Sequence, residues 1–82
     1  MAPRLRRLSA RDVLRALGAF GFEVVSTRGS HAKLRREATG GAVQILTVPL
    51  HKELAPGTVR AIYRQACRYI SEADLRRWFF LS

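Results

Sequence analysis

Apolar residues recur along this chain with two periods, and the switch between them marks its elements. Val13, Leu14, Leu17 and Phe20 follow helical spacing. Ser9, with Asp12 three residues later, resembles a capping box in which Asp replaces the more usual Glu or Gln, and Gly21 supplies a stop. A first helix is therefore expected from about Ala10 to Phe20. Phe22 to Thr27 is rich in aromatic and β-branched residues, the turn-like pair Gly29-Ser30 follows, and His31 to Arg35 then alternates polar with apolar, so two short strands are expected. Glu37 to Ala42 reads as a loop, and Val43 to Val48 as a third strand that Pro49 ends.

Helical spacing then returns. Pro56 and Gly57 suit a first helical turn, and Val59, Ile62, Tyr63, Ala66 and Ile70 line one side of a second helix while Arg60, Arg64 and Arg68 line another. Ser71 to Asp74 looks like a fresh cap, after which Leu75, Trp78, Phe79 and Leu81 form a short terminal helix or a tail over residues 71–82. Met1 to Leu8, with Arg4, Arg6 and Arg7 and no amphipathic period, reads as a flexible basic arm. The expected class is α+β in the order α-β-β-β-α: a three-stranded antiparallel sheet whose one face is covered by two helices, the other facing solvent.

Length narrows this further. Eighty-two residues accommodate one domain spanning 1–82 and exclude a multidomain enzyme. No apolar run is long enough for a membrane span and no signal-peptide pattern opens the chain, and the lone Cys67 suits a reducing compartment, so a cytoplasmic location without membrane contact is expected. Charge changes the picture most. Fifteen Lys and Arg against 6 Asp and Glu give a net charge of +9, and 13 of the 15 are Arg, whose planar fork matches phosphate. Acidic partners, nucleic acid first among them, are expected.

The chemistry-bearing residues then follow from strand alternation. His31, Lys33 and Arg35 share one side of the second strand and Ala32 and Leu34 the other. With the apolar pair against the helices, His31 stands among cations on the open face, beside a turn holding Arg28, Gly29 and Ser30. An imidazole exchanges protons near neutral pH, and neighbouring cations bind and polarise a phosphodiester. That combination suits RNA cleavage with the ribose 2′-hydroxyl as internal nucleophile, which needs no metal or other cofactor. Whether His31 acts as acid or base stays open. His51 is a secondary candidate, with a loop-fixing hydrogen bond as its ordinary role.

Other residues carry less. Cys67 reads as a small buried thiol, Glu72 and Asp74 as caps of the last helix, Gly40-Gly41 as a hairpin turn, and Tyr63 and Tyr69 as packing residues; no metal-ligand spacing is present.

The strings Gly21-Phe22, Arg28-Gly29-Ser30-His31, Val48-Pro49-Leu50-His51 and Pro56 to Ala66, in that order, resemble the HicA family of toxins from toxin-antitoxin modules, from Ser9 to about Leu75. The resemblance implies a double-stranded-RNA-binding-like fold and a metal-independent mRNA interferase that arrests translation. It makes His31, in the Gly-Ser-His motif, the catalytic residue. It also implies a HicB-type antitoxin as partner, with operator DNA bound only through the complex. Ala32, the arginine-rich arm and Trp78-Phe79-Phe80 depart from the family's usual pattern. Two other classes stand beside this one: a non-catalytic RNA-binding module that reads phosphates and A-form shape, and a regulatory subunit that binds DNA only with its antitoxin, for which the chain offers no helix-turn-helix spacing.

Overall fold

Side-chain caps, a helix-opening proline and glycine turns set the element boundaries. In the computed structural model, which describes residues 4–81, the elements are β1 (Arg4–Leu5), α1 (Ala10–Gly18), β2 (Glu23–Arg28), β3 (His31–Glu37), β4 (Val43–Pro49), α2 (Pro56–Ala66), α3 (Glu72–Phe79) and β5 (Phe80–Leu81). The expected capping box opens α1: the Asp12 N–H donates to Ser9 Oγ at 3.1 Å and the Ser9 N–H to the Asp12 carboxylate at 2.9 Å. The Ala10 N–H donates to the His51 carbonyl at 3.0 Å, so the loop after β4 satisfies another donor of this first turn. α1 ends at Gly18, two residues before the expected Phe20. There the chain tightens, with Phe20 donating to the Leu17 carbonyl and Gly21 to that of Gly18, and Gly21 takes a φ of 91° that a side chain would resist.

β2, β3 and β4 form the antiparallel sheet in sequential order. Ala32 pairs with Val48 and Leu34 with Leu46, and all four are buried. Against them pack Val13, Ala16 and Leu17 of α1 and Val59, Ile62 and Ala66 of α2, one contiguous core. The order is α-β-β-β-α with the sheet's other face open, as the alternation predicts. Pro49 is the last residue of β4 rather than its terminator, paired with His31. α2 stops at Ala66, short of Ile70, but a turn follows in which the Ile70 N–H still donates to the Ala66 carbonyl at 2.9 Å, keeping Ile70 in the core.

The arm departs most from expectation. Residues 1–3 lie outside the described residues, but from Arg4 onward the segment is built into the structure. Arg4–Leu5 pairs antiparallel with Phe80–Leu81, the Arg6 N–H donates to the Phe79 carbonyl at 2.8 Å, and Leu8 is buried. The reason is apolar: Leu5 and Leu8 join a core that Leu75 and Phe79, both fully buried, complete from α3. Tyr63 stands between Phe79 and Phe80, with ring centroids 5.5 and 5.0 Å away, so the aromatic tail closes the core. Among the described residues no helix is long and apolar enough to cross a membrane.

Candidate active site

The open face of the sheet is organised by a two-residue turn. Gly29 has a φ of 54°, and no non-glycine residue has a positive φ among the described residues, so only the first central position of the Gly29-Ser30 turn needs glycine's freedom. The Leu50 N–H donates to the Ser30 carbonyl at 2.6 Å, fastening the turn to the chain leaving β4. Arg28 and His31 are therefore paired across β2 and β3, with Cβ atoms about 5 Å apart as for directly opposed residues. Pro49 flanks His31 on its other side.

The next rung of the same face carries Ser26, Lys33 and Thr47, and the one after it Glu23, Arg35 and Ile45. Lys33 lies two residues along the strand from His31, about 7 Å. Ser26, Thr27, Arg28, His31, Lys33 and Thr47 line one groove. The His31 imidazole is exposed and has no hydrogen-bond partner among the described residues, so it is open to a ligand. Arg35 is held apart from this group: Glu23 stands opposite it and its guanidinium reaches the Glu37 carboxylate at 3.8 Å. That ion pair is exposed and weak, yet it leaves Arg35 in a more neutral neighbourhood than Arg28 or Lys33.

The two histidines do not share a groove. His51 lines a different depression with Ser9, Arg11, Leu14, Leu50 and Lys52, and it fixes the α1 terminus through its main-chain carbonyl, not its imidazole. Cys67 is partly buried, and burial raises the pKa of its thiol, which disfavours the thiolate a nucleophile needs. Gly40 and Gly41, with φ of 93° and 89°, make the β3–β4 turn. Glu72 and Asp74 sit in the first turn of α3, where the Asp74 N–H donates to Ser71 Oγ at 3.2 Å. No group of three or more His, Cys, Asp or Glu side chains that could hold a metal ion is found among the described residues.

Ser26 and Thr47 belong to the groove and were not legible as site residues. Thr47 needs the β3–β4 register, and Ser26 needs a bulge: the pairing shifts between Val24 and Ser26, leaving Val25 as an extra residue in β2. Arg36, too, stands out only in the structure. It points to the covered side, where its guanidinium donates to Gln44 Oε1 at 2.8 Å, to the Phe20 carbonyl at 2.9 Å and to the Tyr69 carbonyl at 2.8 Å, and lies 4.7 Å over the Phe22 ring. This arginine ties β3 to the turns after α1 and α2. Its one signal in the sequence is its place in the inward alternation after Ala32 and Leu34.

Residues 10–66 match the family described as HicA toxin of bacterial toxin-antitoxin. The match spans α1, the sheet and α2, hence every residue of the groove, and leaves out β1, α3 and β5. No curated protein and no solved structure matches the chain.

Proposed function

The chain belongs to the HicA toxin family of bacterial toxin-antitoxin systems, and from that membership together with the groove we propose that it is an endoribonuclease that cleaves mRNA without a metal ion, using His31 as an acid/base. An antitoxin is the kind of partner the family implies; the reading specifies a HicB-type protein that covers the open face, with operator DNA bound only through the complex.

The observation that carries the reading is the exposed His31 imidazole directly across from Arg28 and two residues from Lys33 in one groove. In the reaction the ribose 2′-oxygen gives up its proton and bonds to the adjacent phosphorus, while the bond from phosphorus to the 5′-oxygen breaks and that oxygen takes a proton. The products end in a 2′,3′-cyclic phosphate and a 5′-hydroxyl. Arg28 and Lys33 offset the charge that builds on the phosphoryl oxygens. His31 performs one of the two proton transfers. The other falls to Lys33 or solvent, because no second imidazole and no carboxylate lines the groove among the described residues. Ser26 and Thr47 offer hydroxyls to the same phosphate or to the ribose.

The test is incubation of the protein with a defined single-stranded RNA in excess chelator. The parent should yield cyclic-phosphate ends, DNA of the same sequence should stay intact, and His31→Ala should bind RNA without cutting it. Cleavage by His31→Ala at the parental rate would overturn the assignment. The solitary imidazole favours one second reading, a non-catalytic RNA-binding module, which predicts salt-sensitive binding and no shortened products.

A further inference from the structure

The arm and the tail, which the family match leaves out, build a second cleft against α1. Arg6, Arg7, Arg15 and Arg77 line it with Trp78, and Asp12 lies at its wall. Arg6 is fixed there, its N–H donating to the Phe79 carbonyl at 2.8 Å and its Nε to the Phe80 carbonyl at 3.3 Å. Arg7, Arg15 and Arg77 are exposed, with no ion-pair partner among the described residues. The Asp12 carboxylate, engaged by the Ser9 N–H in the α1 cap and attracted to Arg15, offsets one of these charges and leaves the cleft cationic. Trp78 is half-buried, steadied by an edge contact to Phe20 at 6.3 Å. The cationic surface continues past the arm, because Arg6 and Arg7 also line a neighbouring depression with Arg4 and Arg60.

We propose that this arginine–indole cleft is a second RNA-binding site, which takes a single strand by its phosphates and stacks one base on Trp78. Four guanidiniums gathered in one cleft suit the phosphates of a strand, and an indole beside them supplies the stacking face that single-stranded recognition uses. A duplex keeps its base faces covered, and the carboxylates of an acidic peptide offer the indole no aromatic face. The proposal rests on RNA as the ligand of this protein, but not on cleavage.

Trp78 is the only tryptophan of the chain, so its emission reports this cleft directly. The full chain is titrated with a single-stranded 2′-O-methyl oligoribonucleotide, which lacks the nucleophile and cannot be cut. Saturable quenching is expected, weakened about tenfold or more when salt rises from about 50 to about 200 mM, and similarly in the double variant Arg7→Ala/Arg77→Ala. The Gln pair replaces it if alanine lowers the melting temperature. Binding seen by anisotropy with Trp78 emission unchanged, parental affinity in both double variants, or stronger quenching by duplex or by polyglutamate overturns the proposal. Quenching without any cleavage of ordinary RNA overturns the nuclease reading alone.

Discussion

Arg28 stands opposite His31 because Val25 is supernumerary in β2. With an unbroken register continued from the Val24–Leu34 pair, Ser26 would face Ala32, and the alternation would turn Arg28 toward the covered side. The bulge restores both Ser26 and Arg28 to the open face, next to Lys33 and His31.

The turn that closes this hairpin is sensitive at one backbone position. A β-carbon on Gly29 would meet nothing within 4 Å, so a substitution there pays only for its φ of 54°. Gly29→Ala should lose about 1–2 kcal/mol in denaturant unfolding, and Gly29→Asn less. An alanine variant as stable as the parent would show that the turn does not depend on the left-handed backbone.

Arg36 should matter to stability more than any cation of the open face. Arg36→Ala removes three hydrogen bonds and leaves the carbonyls of Phe20 and Tyr69 without this donor. The expected loss is about 2–4 kcal/mol, with Arg36→Lys recovering only part, since an ammonium lacks the planar fork. Lys33→Ala, on the exposed face, should change the unfolding midpoint little. Equal midpoints for the Arg36 and Lys33 alanine variants would contradict this.

At alkaline pH two groups packed against the same core titrate with raised pKa values, the Cys67 thiol and the Tyr63 phenol. Burial, reinforced by the neighbouring Cys67 and Glu72, raises the Tyr63 phenol from 10.0 to about 12. A raised pKa in the fold means that the contribution is intact below pH 10.0 and is lost as pH climbs toward about 12. Stability measured across that window should fall, and Tyr63→Phe should flatten the fall. An unaltered slope in the variant would exclude Tyr63 as its source.

The α1 cap acts at the other end of the scale. The hydrogen bonds from Ser9 hold the Asp12 carboxyl below its ordinary 3.8, so its contribution is present above that value and disappears as pH falls below it. Asp12→Ala should cost up to about 1 kcal/mol near neutral pH, and the gap between variant and parent should narrow under acid. Urea unfolding of both proteins at neutral and acid pH checks this, and a gap that widens in acid would reverse the sign argued here.

Phe79 joins the arm and tail to the rest. Phe79→Ala should cost about 3–5 kcal/mol, a large share of the stability of so small a chain, and should loosen the β1–β5 pairing held through the Phe79 carbonyl. Faster proteolysis at the Arg4–Arg7 segment, together with a lower melting temperature, is the expected readout; protection equal to that of the parent would detach the arm from the core.

Most of the frame was legible because period and punctuation are local properties. Ser9 and Asp12 announce α1, Gly29-Ser30 the hairpin and Pro56 the start of α2, and alternation alone puts His31 and Lys33 outward with Ala32 and Leu34 inward. The helix ends read long, at Phe20 and Ile70, because an apolar residue in the turn after a helix can still reach the core and so prolongs the apparent period.

Local pattern thus determined the α-β-β-β-α order, the buried stripe and the outward histidine of this HicA-family chain. Tertiary structure decided which side chains gather round that histidine. Register, the extra Val25 and the separate depression at His51 arise from contacts between segments distant in sequence, and no window along the chain carries them. The same holds for the arm: Arg4 to Leu8 has no period of its own, and it takes its structure from the backbone of Phe79 to Leu81, which holds Arg4 to Arg6, and from the Leu54 N–H, which donates to the Leu8 carbonyl.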